Sequence, residues 1–321
     1  MLFSIIIPAY NRAQVVRRTL DTVLAQNYRP LQLVLVDNAS TDGTLAVLED
    51  FKRAHHNDDF NVVVTQEQRH TAGAARNRGL QHATGDWLMF FDSDDEMLPG
   101  LVQAYAHQVQ RHCGQIDLIS ARSMLAFPDG TRREAPFFTR DIFANHILHG
   151  QLATQRYAVR HEFFTANGGW NSDLPGWNDW ELGIRLLLAQ PRVALMTEGP
   201  LVIVNHSRQD SITGTEFHTR AGQWERAIDI ACEHVQRASL PHKERYGRLL
   251  DYRRLVLAAQ YQREEHPELA QPLMQRAFGA LRDSYGDSRR WRYWVRPMTR
   301  WFMSRIVDGK RGSARIARRL F

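Results

Sequence analysis

Cysteine is nearly absent from this chain: Cys113 and Cys232 are the only two among 321 residues. They lie far apart and form no CxxC pair, which excludes a disulfide framework and a thiolate zinc site and is the usage expected of a reducing, cytosolic compartment. Long apolar runs are also missing. No window of about 18 apolar residues occurs, so no bilayer-spanning helix is expected, and the opening Met1-Leu2-Phe3-Ser4-Ile5-Ile6-Ile7-Pro8 lacks the basic flank of a secretion signal. Neither G-x-G-x-x-G nor G-x-x-x-x-G-K-[ST] is present, which argues against a dinucleotide-binding Rossmann enzyme and a P-loop NTPase. With 43% hydrophobic and 24% charged residues, the composition is that of a globular chain rather than a disordered one.

Acid is what the C-terminal end lacks. Residues 288–321 carry eleven Lys/Arg and one acid, Asp308, a local charge of +10. The whole chain is +6, so residues 1–287 carry −4. The basic character belongs to one segment.

Short apolar, β-branched runs alternate with helical patterns over the first two hundred residues, which points to an α/β sheet with strands buried on both faces. Strands are expected at Phe3–Ile7, Leu31–Val36, Asn61–Thr65, Trp87–Phe91, Ile116–Ser120, Val193–Thr197 and Leu201–Val204. Helices are expected at Ala13–Ala25, Thr44–Arg53, Ala72–Ala83, Leu101–Arg111 and Trp177–Ala189, with Asp42 and Thr71 as N-caps. From about Thr215 strand patterns stop and helical ones continue over Gln223–Ala238, Pro241–Gln262 and Pro267–Ser284. The chain is therefore divided into 1–214, a helical region 215–287 and a basic tail 288–321.

In α/β sheets, ligands gather beyond the carboxyl ends of the strands, and chemistry-bearing residues sit there. The first strand runs into Pro8-Ala9-Tyr10-Asn11, the second into Asp37, the fourth into Asp92-Ser93-Asp94-Asp95. Three carboxylates in four residues repel one another unless a cation sits among them, and hard oxygen ligands suit Mg²⁺ or Mn²⁺. A solvated acidic turn has the same composition. Asp37 reads equally as a turn residue or an acceptor for a nucleobase or ribose, and Tyr10 as a packed ring or a base-stacking one. Arg76, in the small-residue helix start Ala72–Gly79, is placed to meet phosphate, while the small residues serve close packing just as well. Gly168-Gly169-Trp170 leads to Trp177-Asn178-Asp179-Trp180-Glu181, where an acid could act as general base and the tryptophans could be a sugar platform or core.

Taken together in this order, these segments resemble the family-2 glycosyltransferases of the GT-A fold, over roughly residues 3–214. That resemblance implies a Rossmann-like mixed sheet flanked by helices, with Pro8, Ala9, Tyr10, Asn11, Asp37, Arg76, Asp92, Ser93 and Asp94 on the nucleotide-sugar donor. Asp92 and Asp94 match the family's D-x-D pair, so a divalent metal is expected on Asp94 and Asp92, with His206 as a further candidate ligand and Arg208 near the donor. Asp179 matches the catalytic base. Trp177, Asn178, Trp180, Glu181 and Asp95 are the candidate acceptor contacts. Asn178 departs from the family, which often carries Glu there. The resemblance implies an inverting transfer from a nucleotide sugar, UDP-linked by preference, to a hydroxyl of a lipid-linked or cell-surface glycan, forming a β-glycoside. The alternatives are a polyprenyl-phosphate sugar synthase and a non-catalytic nucleotide- or glycan-binding scaffold.

In the tail, Trp291, Trp294, Val295, Met298, Trp301 and Phe302 recur at helical spacing, with Arg292, Arg296 and Arg300 largely opposite and Pro297 dividing the helix. Arginine interleaved with tryptophan suits an anionic membrane surface more than nucleic acid, and internal packing is the competing reading. The expected location is cytoplasmic and peripheral, on the inner face of the cell membrane.

Overall fold

The structure is a computed structural model of the chain and describes residues 1–206, 216–286, 288–310 and 312–321. The elements run β1 (Phe3–Ala9), α1 (Val16–Leu24), β2 (Leu31–Asp37), α2 (Thr44–His55), β3 (Phe60–Gln66), α3 (Ala72–Leu80), β4 (Trp87–Phe90), β5 (Glu96–Met97) and α4 (Leu101–Arg111). They continue with β6 (Leu118–Ser120), β7 (Ser123–Ala126), β8 (Arg132–Glu134), α5 (Ile142–His149), β9 (Tyr157–Arg160), α6 (His161–Ala166), α7 (Asn178–Leu188), β10 (Val193–Leu195) and β11 (Val202–Asn205). After that the described elements are helical: α8 (Gln223–Arg237), α9 (Lys243–Arg263), α10 (Pro267–Tyr285), α11 (Arg296–Val307) and α12 (Ser313–Leu320).

Seven strands form the main sheet in the order β10-β6-β9-β4-β1-β2-β3, and β5-β11-β7-β8 form a smaller one. Neighbours in the main sheet are parallel except β9, which lies antiparallel between β4 and β6. The expected central strands form because their apolar runs are covered on both sides. Phe3, Ile5 and Ile7 of β1 pack with α1, α2 and α4, while Ile6, Val34 and Val36 face the layer of α3 and α7. Gly79 is needed for that second contact, since a Cβ there would stand 2.4 Å from Ile6 Cγ2. Thr71 caps α3 by accepting from Ala74 N at 3.2 Å; at α2 the cap position is Gly43, and Asp42 accepts from Thr44 N at 3.0 Å.

Strands β5, β7, β8 and β9 carry no pattern that sequence reading picked out. β9 is four residues long and follows directly on the 3₁₀ turn Thr154–Arg156.

The C-terminal helices do not form a separate layer. Trp224, Leu249, Leu255 and Phe302 share one apolar core with Ile147 of α5 and with Trp180 and Ile184 of α7. Helix α7 is thus held between the sheet and the helical region. The tail's aromatic stripe is split: Trp291, Val295 and Phe302 enter this core, whereas Tyr293, Trp294 and Trp301 are exposed. A π-turn at Trp291–Val295 precedes α11, with Pro297 in the first turn of α11.

Candidate active site

The loops after β1 and β2 are stapled together before any ligand is considered. Asn38 N donates to Ala9 O at 2.8 Å, Asn11 N to Ser40 Oγ at 3.0 Å, and Asn11 Oδ1 accepts from Thr41 N at 2.9 Å. Asn11 adopts φ 51°, which places its side chain across the gap between the loops. Tyr10 stands half-exposed beside these loops, its ring edge-on to His70 at 5.8 Å. Asp37 is buried, yet its Oδ1 has no hydrogen-bond partner and its Oδ2 meets Ser40 N only at 3.4 Å. A buried carboxylate oxygen without a donor is costly, so this position is suited to accept from a ligand N–H or O–H.

Arg76 joins the two acidic loops. Its Nη2 donates to Asp92 Oδ1 at 2.6 Å, its Nη1 reaches Asn178 Oδ1 at 3.5 Å, and the guanidinium lies 4.3 Å over the Trp170 ring. Trp170 is fixed for this role. Asn77 brackets its backbone, accepting from Trp170 N at 2.9 Å and donating to Trp170 O at 2.8 Å. Gly168 and Gly169, at φ +87° and +66°, make the turn that brings it there.

Asp92, Asp94 and Asp95 occupy three different environments. Asp92 is about a third exposed and shared by Arg76 and Gln155, whose Nε2 donates to its Oδ2 at 2.7 Å. Asp94 is similarly open, with Arg12 Nη2 at 3.8 Å; burial and the Asp92 charge push its carboxyl up from the usual range. Asp95 is 2% exposed, accepts from Asn205 N at 2.8 Å and from Gln155 Nε2, and is pushed well above the ordinary carboxylate range by burial and by its two neighbours. Ser93 is buried between them. The donor set suits a hard cation on Asp94 with Asp92. The chemistry is all-oxygen, the charge is only partly compensated, and Asp94 remains open. Among the described residues no three His, Cys, Asp or Glu side chains converge as ligands, so protein carboxylates would supply only part of a coordination shell.

Asp179 sits in the first turn of α7. It accepts from Trp180 N at 2.8 Å, and burial raises its carboxyl, opposed by the nearby Arg76 charge and reinforced by Asp92. Trp177, just before the helix, holds φ 53°, an uncommon backbone state for a bulky side chain that often marks a functional turn.

The structure places the remaining expected contact residues as follows. Trp180 is 4% exposed, donates from Nε1 to His146 O and Ile147 O at 3.2 Å, and packs in the core. Glu181 is fully buried between Arg185, at 2.6 Å, and His234 of α8, at 3.3 Å, and so ties α7 to α8. Trp177 packs against Trp180 and Trp224 with Arg253 over its ring at 4.5 Å. Asn178 is buried and turned to Arg76, and Asp95 is a buried support under the loop. His206 is stacked on Phe127 with ring centroids 4.9 Å apart, and burial together with the Arg133 charge lowers its proton affinity; no hydrogen bond or ion pair joins it to Asp92 or Asp94 among the described residues. Arg208 lies outside the described residues.

Gln155 and Asn205 are the site residues that sequence reading missed. Gln155 lies in the turn just before the short strand β9 and Asn205 ends the short strand β11, and neither belongs to a motif.

Residues 4–156 match the family described as Glycosyl transferase family 2. The chain is 34% identical over 115 residues to the amylovoran biosynthesis glycosyltransferase AmsB of Erwinia amylovora, covering 36% of this chain and 38% of that protein. It is 30% identical over 191 residues to the PGL/p-HBAD biosynthesis glycosyltransferase of Mycobacterium bovis, covering 57% of this chain and 69% of that protein. The first of these matches thus spans little more than a third of its relative's length. Among solved structures, S. aureus TarS 1–349 in complex with UDP-GlcNAc superposes with a TM-score of 0.72 at 17% identity over 99% of this chain and 91% of the other, a likeness of fold.

A mixed sheet with acidic loops at its carboxyl edge, backed by helices, is the GT-A architecture, and its class is that of the glycosyltransferases. The chain belongs to glycosyl transferase family 2.

Proposed function

We propose that this glycosyltransferase moves a sugar from a nucleotide donor, UDP-linked by preference, to a hydroxyl of a lipid-linked or cell-surface glycan, with inversion and with help from a divalent cation. The observation that carries the reading is the Arg76 bridge. One guanidinium touches Asp92 on the donor side and Asn178 beside Asp179 on the other, so the two acids are set at a fixed separation. The Asp37 carboxylate and the Tyr10 ring would take the nucleoside, and Pro8, Ala9 and Asn11 shape that loop. Mg²⁺ or Mn²⁺ held on Asp94 with Asp92 would supply charge neutralisation for the departing diphosphate.

Asp179 takes the proton from the attacking hydroxyl. Burial raises its proton affinity and makes it a stronger base than an exposed aspartate, while the Arg76 charge opposes that rise. One base and one displacement give inversion, so an α-linked donor yields a β-glycoside. Several relatives support the glycan setting: AmsB is named for amylovoran biosynthesis, and TuaG of Bacillus subtilis, 36% identical over 95 residues, for teichuronic acid biosynthesis.

The test is calorimetric titration with UDP, GDP and dTDP, with and without Mn²⁺, on the native chain and on Asp94→Ala. Metal-dependent binding of one nucleotide, lost in the variant, is expected. Absence of binding by all three would overturn the reading, and binding without any transfer or donor hydrolysis would favour the scaffold alternative.

A further inference from the structure

The split of the tail's aromatic stripe leaves something over. Trp291, Val295 and Phe302 are absorbed by the helical core, but Tyr293, Trp294 and Trp301 are 70%, 67% and 42% exposed. Large aromatic side chains left in water side by side mark a contact surface. The seven-residue spacing from Trp294 to Trp301 is close to two helical turns, which puts the two indoles on one side of the tail roughly 10 Å apart along it.

The charges around them share one sign. Arg289, Arg296 and Arg300 are exposed, and their side chains make no hydrogen bond or ion pair among the described residues. The first acid after residue 288 is Asp308, and Lys310 already holds it at 3.0 Å. At one end of the ridge, Arg289, Arg290, Tyr293 and Trp294 line an open hollow of about 690 Å³. Aromatic rings with a polar edge partition into the boundary between headgroup and acyl chain, and arginines beside them meet lipid phosphates.

We propose that the face formed by Tyr293, Trp294 and Trp301, flanked by Arg289, Arg296 and Arg300, docks this chain on an anionic lipid bilayer. The face is separate from the residues assigned to sugar transfer, so the proposal goes beyond that reading and stands or falls without it. A single-stranded nucleic acid is the poorer fit. Base stacking needs a free ring face, and the Trp301 ring is already covered on one side by the Arg305 guanidinium at 5.0 Å.

The experiment is cosedimentation of the full chain with vesicles of phosphatidylcholine alone or with about one third phosphatidylglycerol, at low and high salt. Binding is expected to the anionic vesicles and to weaken with salt. Replacing Arg289, Arg296 and Arg300 together by Ala should lower the partition coefficient by about 100-fold, from roughly fivefold per cation. Trp294→Ala with Trp301→Ala should lower it by about tenfold or more. Thermal melting and nucleotide titration, run on each variant, should stay at native values. If Trp301→Ala perturbs the helix through Phe302, Trp294→Ala alone carries the test. Failure of the native chain to bind anionic vesicles overturns the proposal. So does binding that survives the tryptophan substitutions, capture of an oligonucleotide in place of vesicles, or self-association that the same substitutions abolish.

Discussion

Replacing Arg76 separates two things that its guanidinium does at once. The side chain is 6% exposed, pairs with Asp92 at 2.6 Å, and lies against Trp170. Breaking a fully buried pair by removing one partner costs about 3–5 kcal/mol. Asp92 is 31% exposed and keeps Gln155 as a donor, so water recovers part of the loss and about 2–3 kcal/mol is the expected cost of Arg76→Gln. For a chain of this size that lowers the melting temperature by roughly 3–5 °C. Arg76→Lys should cost nearly as much, because an ammonium cannot serve Asp92 and Asn178 together.

The two variants should part in their pH dependence. The Arg76 charge restrains the rise in Asp179 proton affinity that burial causes. Without it, the carboxyl holds its proton to higher pH, and the acidic limb of kcat moves upward. Arg76→Gln should therefore show that displacement and Arg76→Lys should not. The assay is nucleotide release, with the donor chosen by calorimetry, followed across pH, alongside thermal melting at one fixed pH. An acidic limb that stays in place in Arg76→Gln would refute the assignment of Asp179 as a base governed by this cation.

Three other outcomes follow from the same geometry. Asp179→Asn should keep nucleotide binding and lose transfer. Because the folded carboxyl has its affinity for protons raised, the ionised form destabilises the native state above the unfolded value, so this variant should melt higher than the native chain at pH 8, with the gain vanishing as pH falls. Gln155→Leu removes the donor shared by Asp92 and Asp95 and should cost about 2 kcal/mol by denaturant titration, with weaker nucleotide binding; unchanged binding would show that the amide does not hold the acidic loop. Glu181→Gln should cost about 3 kcal/mol, since Arg185 and His234 lose a buried partner. Burial opposes the Glu181 charge, but hydrogen bonds from His234 and Arg185 hold its carboxyl below the usual range. Its contribution is present above that range and lost as pH falls through the lowered value, so the gap between native and variant melting should close in acid.

The parts of this fold that were legible are those where one physical demand dominates. β1, β2 and β4 are buried on both faces, which needs unbroken apolar runs, and such runs are visible locally. The acidic loop was legible for the opposite reason, as three like charges in four residues ask for an explanation. β9 was not, because a four-residue antiparallel strand owes its place to the partners on either side, β4 and β6, and that information lies 40 and more residues away. Gln155 was hidden with it.

The tryptophans at the start of α7 pose a different difficulty. Their spacing is compatible with a sugar platform or a core, and the choice is made by α8 and α9, which cover that side of the helix. Glu181 illustrates the same point. It stands two residues from Asp179, yet helix geometry turns it the other way, toward His234. The tail was half legible: periodicity identified a helix but could not say which half of a wide stripe would be covered.

The placement of α7 between sheet and helical region bears on how such a protein can be taken apart. A fragment ending near residue 214 would retain every acid of the proposed chemistry, yet it would strip Trp180, Ile184 and Trp177 of their cover and leave Glu181 without His234. The helix that presents Asp179 would then be anchored on one side only. Grafting helices from a relative onto this sheet meets the same obstacle unless the residues facing Trp177, Trp180 and Glu181 travel with them. The helical region thus supports the helix that carries Asp179, and an exchange made at the apparent seam would cut through a shared core.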